Sequence, residues 1–223
     1  MSPSTTEIIK QDIIDQLTWD NRIDANDVYV SVRDGVVILQ GTVPSYAAKV
    51  AAEKDAYQVD GVNRVENELK VEFPPETERP DDQEITENIE KKLIWNSQVN
   101  SANISVQTVD GVVSLTGSVD SFWEKIMAED IAQYTHGVTD VINRLLVSVT
   151  KSVLDIDIEK DIKNTYKRSG LLAGNEDDLT VSVTNGIVRL SGVVPSYPAK
   201  RQAYNIAKYT SGVVDVIDDL STG

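Results

Sequence analysis

The chain has 223 residues, of which 36 are acidic and 21 are basic, so its formal net charge is −15 at pH 7. A chain this acidic, with no Lys/Arg-rich run, repels a phosphate backbone at long range, which argues against nucleic-acid binding. The absence of cysteine excludes disulfides, a thiolate nucleophile and a Cys-based metal site.

The N-terminus predicts the compartment. It leads into a polar, acidic segment, and no apolar stretch of signal-peptide length follows a basic start. No apolar segment is long enough to span a bilayer. The sequence as given therefore predicts a soluble cytoplasmic protein, or a periplasmic one if a leader had been removed.

The first predicted element is an amphipathic helix, because Ile9, Ile13 and Leu17 recur every four residues. Apolar residues then alternate at Val28 and Val30, which is the period of a half-buried strand. The chain therefore begins with a helix and continues into a sheet.

A hairpin is predicted next, because Asp34 and Gly35 both tolerate the positive φ of a two-residue turn. A second strand leads to a helix capped by Ser45, and Gly61 fits the C′ position at the end of that helix. Residues 62–71 supply a third strand. Because it follows a helical crossover, this strand can lie parallel to one hairpin strand.

The whole pattern occurs three times. The hairpin and the later Gly-Val pair recur at offsets of 76 and then 75 residues, and the first helix at 76 and then 73, because the third repeat has two extra residues in the loop that follows its first helix. We therefore predict an α+β fold of three tandem αββαβ domains, each a three-stranded mixed sheet with two helices on one face. The glycines that mark the repeats structurally are Gly35, Gly41, Gly61, Gly111, Gly117, Gly137, Gly186, Gly192 and Gly212.

The repeats and the composition between them predict the domain boundaries. The three domains are assigned to residues 5–73, 84–150 and 157–221. A Pro-rich acidic linker at 74–83 is expected to be extended, and a short linker at 151–156 separates the last two domains.

The repeated unit resembles the BON domain, the bacterial OsmY and nodulation module. The resemblance rests on a D/N-G-x-V-x-L-x-G hairpin and a later G-V-x-x-V-x-[ND] strand. The matching residues are Gly35, Val37, Leu39, Gly41, Gly61, Val62, Val65 and Asn67, then Gly111, Val113, Leu115, Gly117, Gly137, Val138, Val141 and Asn143, then Gly186, Val188, Leu190, Gly192, Gly212, Val213, Val216 and Asp218. It implies an αββαβ fold, no enzymatic activity, and roles in attachment to phospholipid surfaces, in envelope or osmotic stress and in protein contacts.

No catalytic, cofactor or metal site is predicted. The glycine spacing matches neither a P-loop nor a dinucleotide fingerprint, and a hairpin explains it. His136 is the only histidine, which argues against a His-based zinc site or a catalytic triad. Trp19 and Trp95 occupy one repeat position at the end of the first helix, and we expect them to cover the core.

One basic and aromatic patch is a candidate contact surface for a membrane or a protein partner. Its residues lie on the second helix of the third repeat and are Tyr197, Lys200, Arg201, Tyr204 and Lys208. Basic side chains interleaved with tyrosine can rest on an anionic bilayer surface, although lysine also decorates many exposed helices.

Two functional hypotheses follow. The first is a non-enzymatic tandem binding module for phospholipid surfaces or protein partners, in which several weak sites on one chain act together. The alternative is a soluble cytosolic stress protein that binds a monovalent cation such as potassium, as the resemblance to the family also implies. The sequence assigns no oligomeric state.

Overall fold

The computed structural model describes residues 5–33, 36–75, 77–148, 153–172 and 178–222. Within these ranges, the repeats share one order of helices and strands. The first contains α1 (Thr5–Trp19), β1 (Val28–Arg33), β2 (Val36–Val43), α2 (Tyr46–Ala56), β3 (Arg64–Asn67) and β4 (Lys70–Val71). The second contains α3 (Asp82–Trp95), β5 (Ile104–Val109), β6 (Val112–Val119), α4 (Phe122–Gln133), β7 (Asp140–Asn143) and β8 (Leu146–Val147). The third contains α5 (Asp155–Arg168), β9 (Leu179–Thr184), β10 (Ile187–Val194), α6 (Tyr197–Lys208) and β11 (Asp215–Thr222).

Each repeat has its own mixed sheet, with the second hairpin strand in the centre. The strand orders are β1-β2-β3, β5-β6-β7 and β11-β10-β9, with β4 and β8 pairing with β2 and β6. In the first sheet β1 is antiparallel to β2, with Val30 opposite Leu39, and β3 is parallel to β2. The helical crossover gives the parallel strand, and the predicted α+β class is confirmed.

The cores of the outer repeats bring both helices onto one sheet face. In the first repeat Ile13 of α1, Ala52 of α2 and Leu39 of β2 are fully buried in one apolar cluster. The third repeat buries Ile162 and Ala203 in the equivalent way. The second helix carries alanine on its inner face, so it can approach the sheet closely.

The chain forms two compact units. One consists of residues 1–85, 108–113 and 133–141, and the other of residues 86–107, 114–132 and 142–223. Each unit therefore contains one outer repeat and part of the middle repeat.

The segment that follows the first repeat packs through its side chains within the first unit. Arg79 lies over the ring of Phe73 at 5.4 Å, and Phe73 meets the ring of His136 edge-on at 6.0 Å. The helix α3 begins at Asp82, inside the range predicted as linker. It begins there because Asp81 accepts a hydrogen bond from the Glu84 N–H and Glu84 accepts one from the Asp81 N–H, which is a capping box.

The third strand of the first repeat is predicted as one strand but occurs as two segments, β3 and β4. The interruption lies where Asn67 turns its side chain onto the backbone. Its Oδ1 accepts from the Leu69 N–H at 3.3 Å, and its Nδ2 donates to the Lys49 carbonyl at 2.8 Å. In the third repeat the corresponding residue is Asp218, whose Oδ1 likewise accepts from the Leu220 N–H at 3.0 Å. Asp218 has no side-chain N–H to donate to the helix, and β11 is continuous.

Two of the three predicted hairpin turns lie in the described part of the chain. Asp110 and Gly111 have φ values of 53° and 81°, and Asn185 and Gly186 have values of 52° and 76°. Both residues of each turn are therefore in the left-handed region that a tight two-residue hairpin needs. The turn at Asp34 and Gly35 lies outside the described residues.

Gly192 is needed for a close backbone approach and not for the hairpin turn. It has a φ of 121°, and a Cβ built on it would lie 2.0 Å from the carbonyl oxygen of Asp178. Gly41 and Gly117 show the same approach, to Asp27 and Asn103.

The prediction that Gly61, Gly137 and Gly212 occupy C′ positions is wrong. The helix α6 ends at Lys208 with Tyr209 as its C-cap, several residues before Gly212. At Gly212 a Cβ would lie 3.0 Å from Cδ1 of Ile158 and 2.7 Å from Cβ of Val153. A turn after the helix brings this glycine against the N-terminal part of α5, so its φ of 90° and the close packing both favour glycine.

Candidate functional site

The five predicted contact residues lie on α6. The helix begins after Ser196, whose Oγ accepts a hydrogen bond from the Ala199 N–H at 3.4 Å. Its inner face buries Ala199, Ala203 and Ala207. Four of the predicted residues follow one another at spacings of four, three and four positions and so share a face. They are Tyr197, Arg201, Tyr204 and Lys208.

Lys200 is directed to the sheet. Its side chain is only 17% exposed, and its Nζ donates to the Leu220 carbonyl at 2.6 Å. The same ammonium lies 3.7 Å from the Asp218 carboxylate, which opposes the rise in the pKa of Asp218 caused mainly by burial. Lys200 therefore holds the last strand to α6.

Tyr204 belongs to a polar arrangement that differs between repeats. In the second repeat Asn143 donates to the Lys125 carbonyl and to Glu129 Oε2, both at 3.0 Å. In the third repeat Asp218 replaces the asparagine and Tyr204 replaces the glutamate. Burial, and then the charge of Glu129, raises the pKa of Tyr204 to about 12, so the phenol stays neutral.

Lys208 lies in an aromatic contact within the second unit. Its ammonium is 4.8 Å from the ring centroid of Trp123 on α4 and 5.7 Å from that of Tyr209. The two rings are themselves 4.6 Å apart. The neighbouring Phe122 is buried in the apolar cluster of the third repeat. This end of α6 therefore packs against α4.

Arg201 is exposed and Tyr197 is half-buried. The structure therefore brings the five residues onto one helix but gives them different environments. Arg201 faces solvent, Lys200 contacts the sheet, and Lys208 contacts aromatic rings.

The prediction that Trp19 and Trp95 cover the core is wrong. Their exposed fractions are 87% and 82%. The buried stripe of α1 ends at Leu17, and a residue two positions later lies about 200° around a helix. Helix geometry therefore turns both tryptophans away from the sheet, a consequence that the spacing from Leu17 and Leu93 could have shown.

An exposed apolar and basic cluster marks the end of α3, and we call it the α3 tip. It consists of Lys91, Lys92, Ile94 and Trp95. Ile94 is 69% exposed beside Trp95, and Lys91 lies three and four residues before them on the helix. Lys91 also pairs with Glu87 at 3.3 Å. The α1 end has Trp19 but Gln16 where α3 has Lys92.

No group of three or more His, Cys, Asp or Glu suited to a metal ion occurs among the described residues. Across those same ranges, none of the helices combines the length and the apolar character needed to cross a membrane.

Comparison with known proteins identifies the same three repeats. The family described as "BON domain" matches three segments of the chain, residues 5–72, 81–148 and 155–223. The matches cover nearly the whole sequence.

Three curated relatives show similarity over more than half of the chain. The osmotically-inducible protein Y of Escherichia coli is 34% identical over 149 residues, which are 64% of this chain and 73% of that protein. A protein from the gshII 5′ region of Anaplasma centrale is 32% identical over 128 residues, 56% of this chain and 85% of that protein. A 21 kDa hemolysin of Actinobacillus pleuropneumoniae is 28% identical over 138 residues, 61% of this chain and 71% of that protein.

Proposed function

The chain belongs to the BON domain family, and from this premise we propose that it is a non-enzymatic module that attaches to anionic phospholipid surfaces during osmotic or envelope stress. The similarity to an osmotically inducible protein supports the link to osmotic stress. The predicted cytoplasmic location stays a prediction, and the proposal needs only access to one membrane face.

The observation that carries this proposal is the exposure of Trp95 and Ile94 at the α3 tip. A tryptophan and an isoleucine side by side in water forgo the favourable free energy of burial. Tryptophan is favoured where an apolar environment meets a wet one, as at the headgroup level of a bilayer. The α3 tip therefore suits shallow insertion.

Lys91 and Lys92 supply the charge that this surface needs. Each basic residue close to an anionic bilayer contributes on the order of 1 kcal/mol, while an exposed pair such as Lys91 with Glu87 is worth less. Because the chain as a whole has a net charge of −15, the attraction is local to the tip. Trp19 is similarly exposed and provides a second contact with the bilayer on the same chain.

The predicted patch on α6 is proposed as a secondary contact, and Arg201 is its exposed basic member. Lys200 and Lys208 contact the sheet carbonyl and the aromatic rings already described. We therefore expect Arg201 to contribute less to binding than the α3 tip does.

The experiment is vesicle flotation with the full chain, using neutral vesicles and vesicles rich in phosphatidylglycerol. The Ile94→Ser, Trp95→Ser double variant should bind anionic vesicles at least about tenfold more weakly, equivalent to about 1.4 kcal/mol. Tyr29→Ser is the matched control, because it removes an aromatic side chain that is exposed elsewhere on the molecule. Lys91→Glu with Lys92→Glu should remove the preference for anionic vesicles.

Unchanged flotation of the Ile94→Ser, Trp95→Ser variant would contradict the α3 tip as the contact. A larger loss with Arg201→Glu would make α6 the main surface. If the unmodified chain does not float and its Tm rises in KCl relative to NaCl at equal ionic strength, the cation-binding alternative is favoured.

A further inference from the structure

Two carboxyl groups meet at the end of α1 in the first repeat. Asp20 follows directly after Trp19, and Asp55 lies next to the last residue of α2. Their side chains are within hydrogen-bonding reach of each other. Two ionised carboxylates offer only acceptors, so this contact needs a proton.

Asp20 is the member of the pair that is held ionised. Its Oδ1 accepts from the Arg22 backbone N–H and from Arg22 Nε, both at 2.9 Å, and Arg22 Nη2 pairs with its Oδ2. The Asp20 side chain is 11% exposed. These contacts with Arg22 hold the pKa of Asp20 at about 2.

Asp55 has the opposite environment. Its Oδ1 accepts from Gln58 Nε2 at 3.1 Å. Its Oδ2 is buried and has no hydrogen-bond partner, and it is the only such side-chain oxygen or nitrogen among the described residues. Burying a carboxylate oxygen without a hydrogen-bond donor costs free energy. A proton on this oxygen would make it a donor, and the neighbouring Asp20 carboxylate could accept from it.

We propose that Asp20 and Asp55 form a proton-binding site, in which one proton is shared between the two carboxyls and ties the ends of α1 and α2 together. When the proton leaves, two like charges face each other and the contact beside Trp19 is lost. The link to surface attachment rests on the proposed function, whereas the proton site itself does not.

The electrostatics place the shared proton on Asp55 and not on Asp20. Burial first, and then the hydrogen bond and charge of Asp20, raise the pKa of Asp55 to about 6, while the charge of Arg22 opposes that rise. Tyr134 also acts electrostatically on Arg22 and contributes to the raised pKa of that guanidinium. The shared proton is therefore present below about pH 6 and absent above it.

Only the first repeat can form this site. The positions of Asp20 and Asp55 are occupied by Asn96 and Ile131 in the second repeat. In the third repeat Ser169 and Ile206 stand there. A general structural role in the fold would require the carboxyls in every copy.

The proposed consequence is a pH-dependent surface at Trp19. Below about pH 6 the α1 end is tied down and carries one negative charge less, and both changes favour contact with an anionic bilayer. Mild acidification should therefore strengthen vesicle attachment through the first repeat.

The experiment is a carboxyl carbon NMR titration of the full chain between pH 4 and 8. The Asp55 resonance should titrate about two pH units above an ordinary aspartate. Asp20→Asn should lower the Asp55 midpoint, because it removes the neighbouring charge. Asp24→Asn is the matched control, since Asp24 is a nearby acid that accepts instead from Asn26 at 2.9 Å, and it should leave the midpoint unchanged.

An Asp55 midpoint near 4 would overturn the proton site. A midpoint that falls by a pH unit or more when magnesium is added would also overturn it, because the ligand would then be a cation. Fluorescence of a Trp95→Phe, Trp123→Phe variant, which leaves Trp19 as the only tryptophan, should change with the same midpoint.

Vesicle binding is measured separately, so that the two proposals can fail separately. A midpoint near 6 without any flotation would support the proton site and contradict the proposed function. Flotation of the unmodified chain that strengthens below pH 6, together with pH-independent flotation of Asp55→Asn, would support both.

Discussion

Asp155 anchors the first helix of the third repeat to the hairpin turn through Gly186. Its Oδ1 accepts from the Gly186 N–H at 2.8 Å, and its Oδ2 accepts from the Asn185 N–H at 2.7 Å. Asp82 makes the same pair of contacts with Asp110 and Gly111 in the second repeat. One carboxylate thus satisfies two backbone donors that a tight turn leaves unpaired.

Replacing this carboxylate should destabilise the third repeat. In Asp155→Asn one oxygen becomes an amide that cannot accept, so one turn N–H loses its partner. We expect the free energy of unfolding to fall by about 1–2 kcal/mol in urea titrations followed by circular dichroism. Asp157→Asn is the matched control, because Asp157 is exposed in the same helical turn and should cost about 0.5 kcal/mol. Equal losses for the two variants would show that only helix charge is involved.

Lys200 and Arg201 allow a structural and a surface role to be separated. Lys200→Met should lower the free energy of unfolding by about 1 kcal/mol, because the Leu220 carbonyl loses its side-chain donor and Asp218 loses its counter-charge. Arg201→Met should leave stability unchanged, since Arg201 is exposed. Thermal unfolding of the two variants in parallel checks this, and a larger loss for Arg201→Met would contradict the assignment.

Local signals account for the features of the fold that the sequence predicts. Alternation in the strands and the Asn185-Gly186 turn depend on neighbouring residues, so they are visible without a structure. The repeat then extends each local signal to the whole chain. The α+β class, the hairpins and the parallel third strand follow from these two properties.

The remaining features depend on partners that are distant in sequence. In the sequence Lys200 looks like any surface lysine. Its hydrogen bond to the carbonyl of Leu220, 20 positions later, is visible only in the structure. The close approach of the Asp178 carbonyl to Gly192 is likewise invisible in the spacing of glycines. The carboxyl pair of Asp20 and Asp55 joins two helix ends, and no motif connects them. Trp19 and Trp95 are different, because their angles to Leu17 and Leu93 on the helix could have placed them correctly.

Stability should depend on pH through Asp55. Its pKa is raised in the folded chain to about 6 from an ordinary value of 3.8, so its stabilising contribution is complete below pH 3.8 and is lost as the pH rises through about 6. Asp20 acts in the opposite sense, because its lowered pKa of about 2 adds stability that is lost only as the pH falls from 3.8 through 2. The two windows do not overlap.

Asp55→Asn should therefore be more stable than the unmodified chain above pH 7. The expected gain is about 1 kcal/mol, since partial exposure of the group screens the repulsion. Below pH 5 the difference in Tm should shrink to zero or reverse. Thermal unfolding at pH 4.5, 6 and 8 measures this, and a Tm difference that is constant across the three values would contradict a titrating Asp55.

The close approach at Gly192 gives a test of the sheet itself. Gly192→Ala places a methyl group where the Asp178 carbonyl lies 2.0 Å away, at a φ of 121° that alanine rarely adopts. Because the obstacle is backbone, the strand must shift, and we expect a loss of about 3 kcal/mol in the free energy of unfolding. Gly170→Ala is the matched control, because nothing lies within 4 Å of the position that its methyl group would take, and its stability should be unchanged or slightly raised. Comparable urea midpoints for the two variants would mean that the Asp178 carbonyl can move aside at no cost, and that the repeated glycine is not required by this contact.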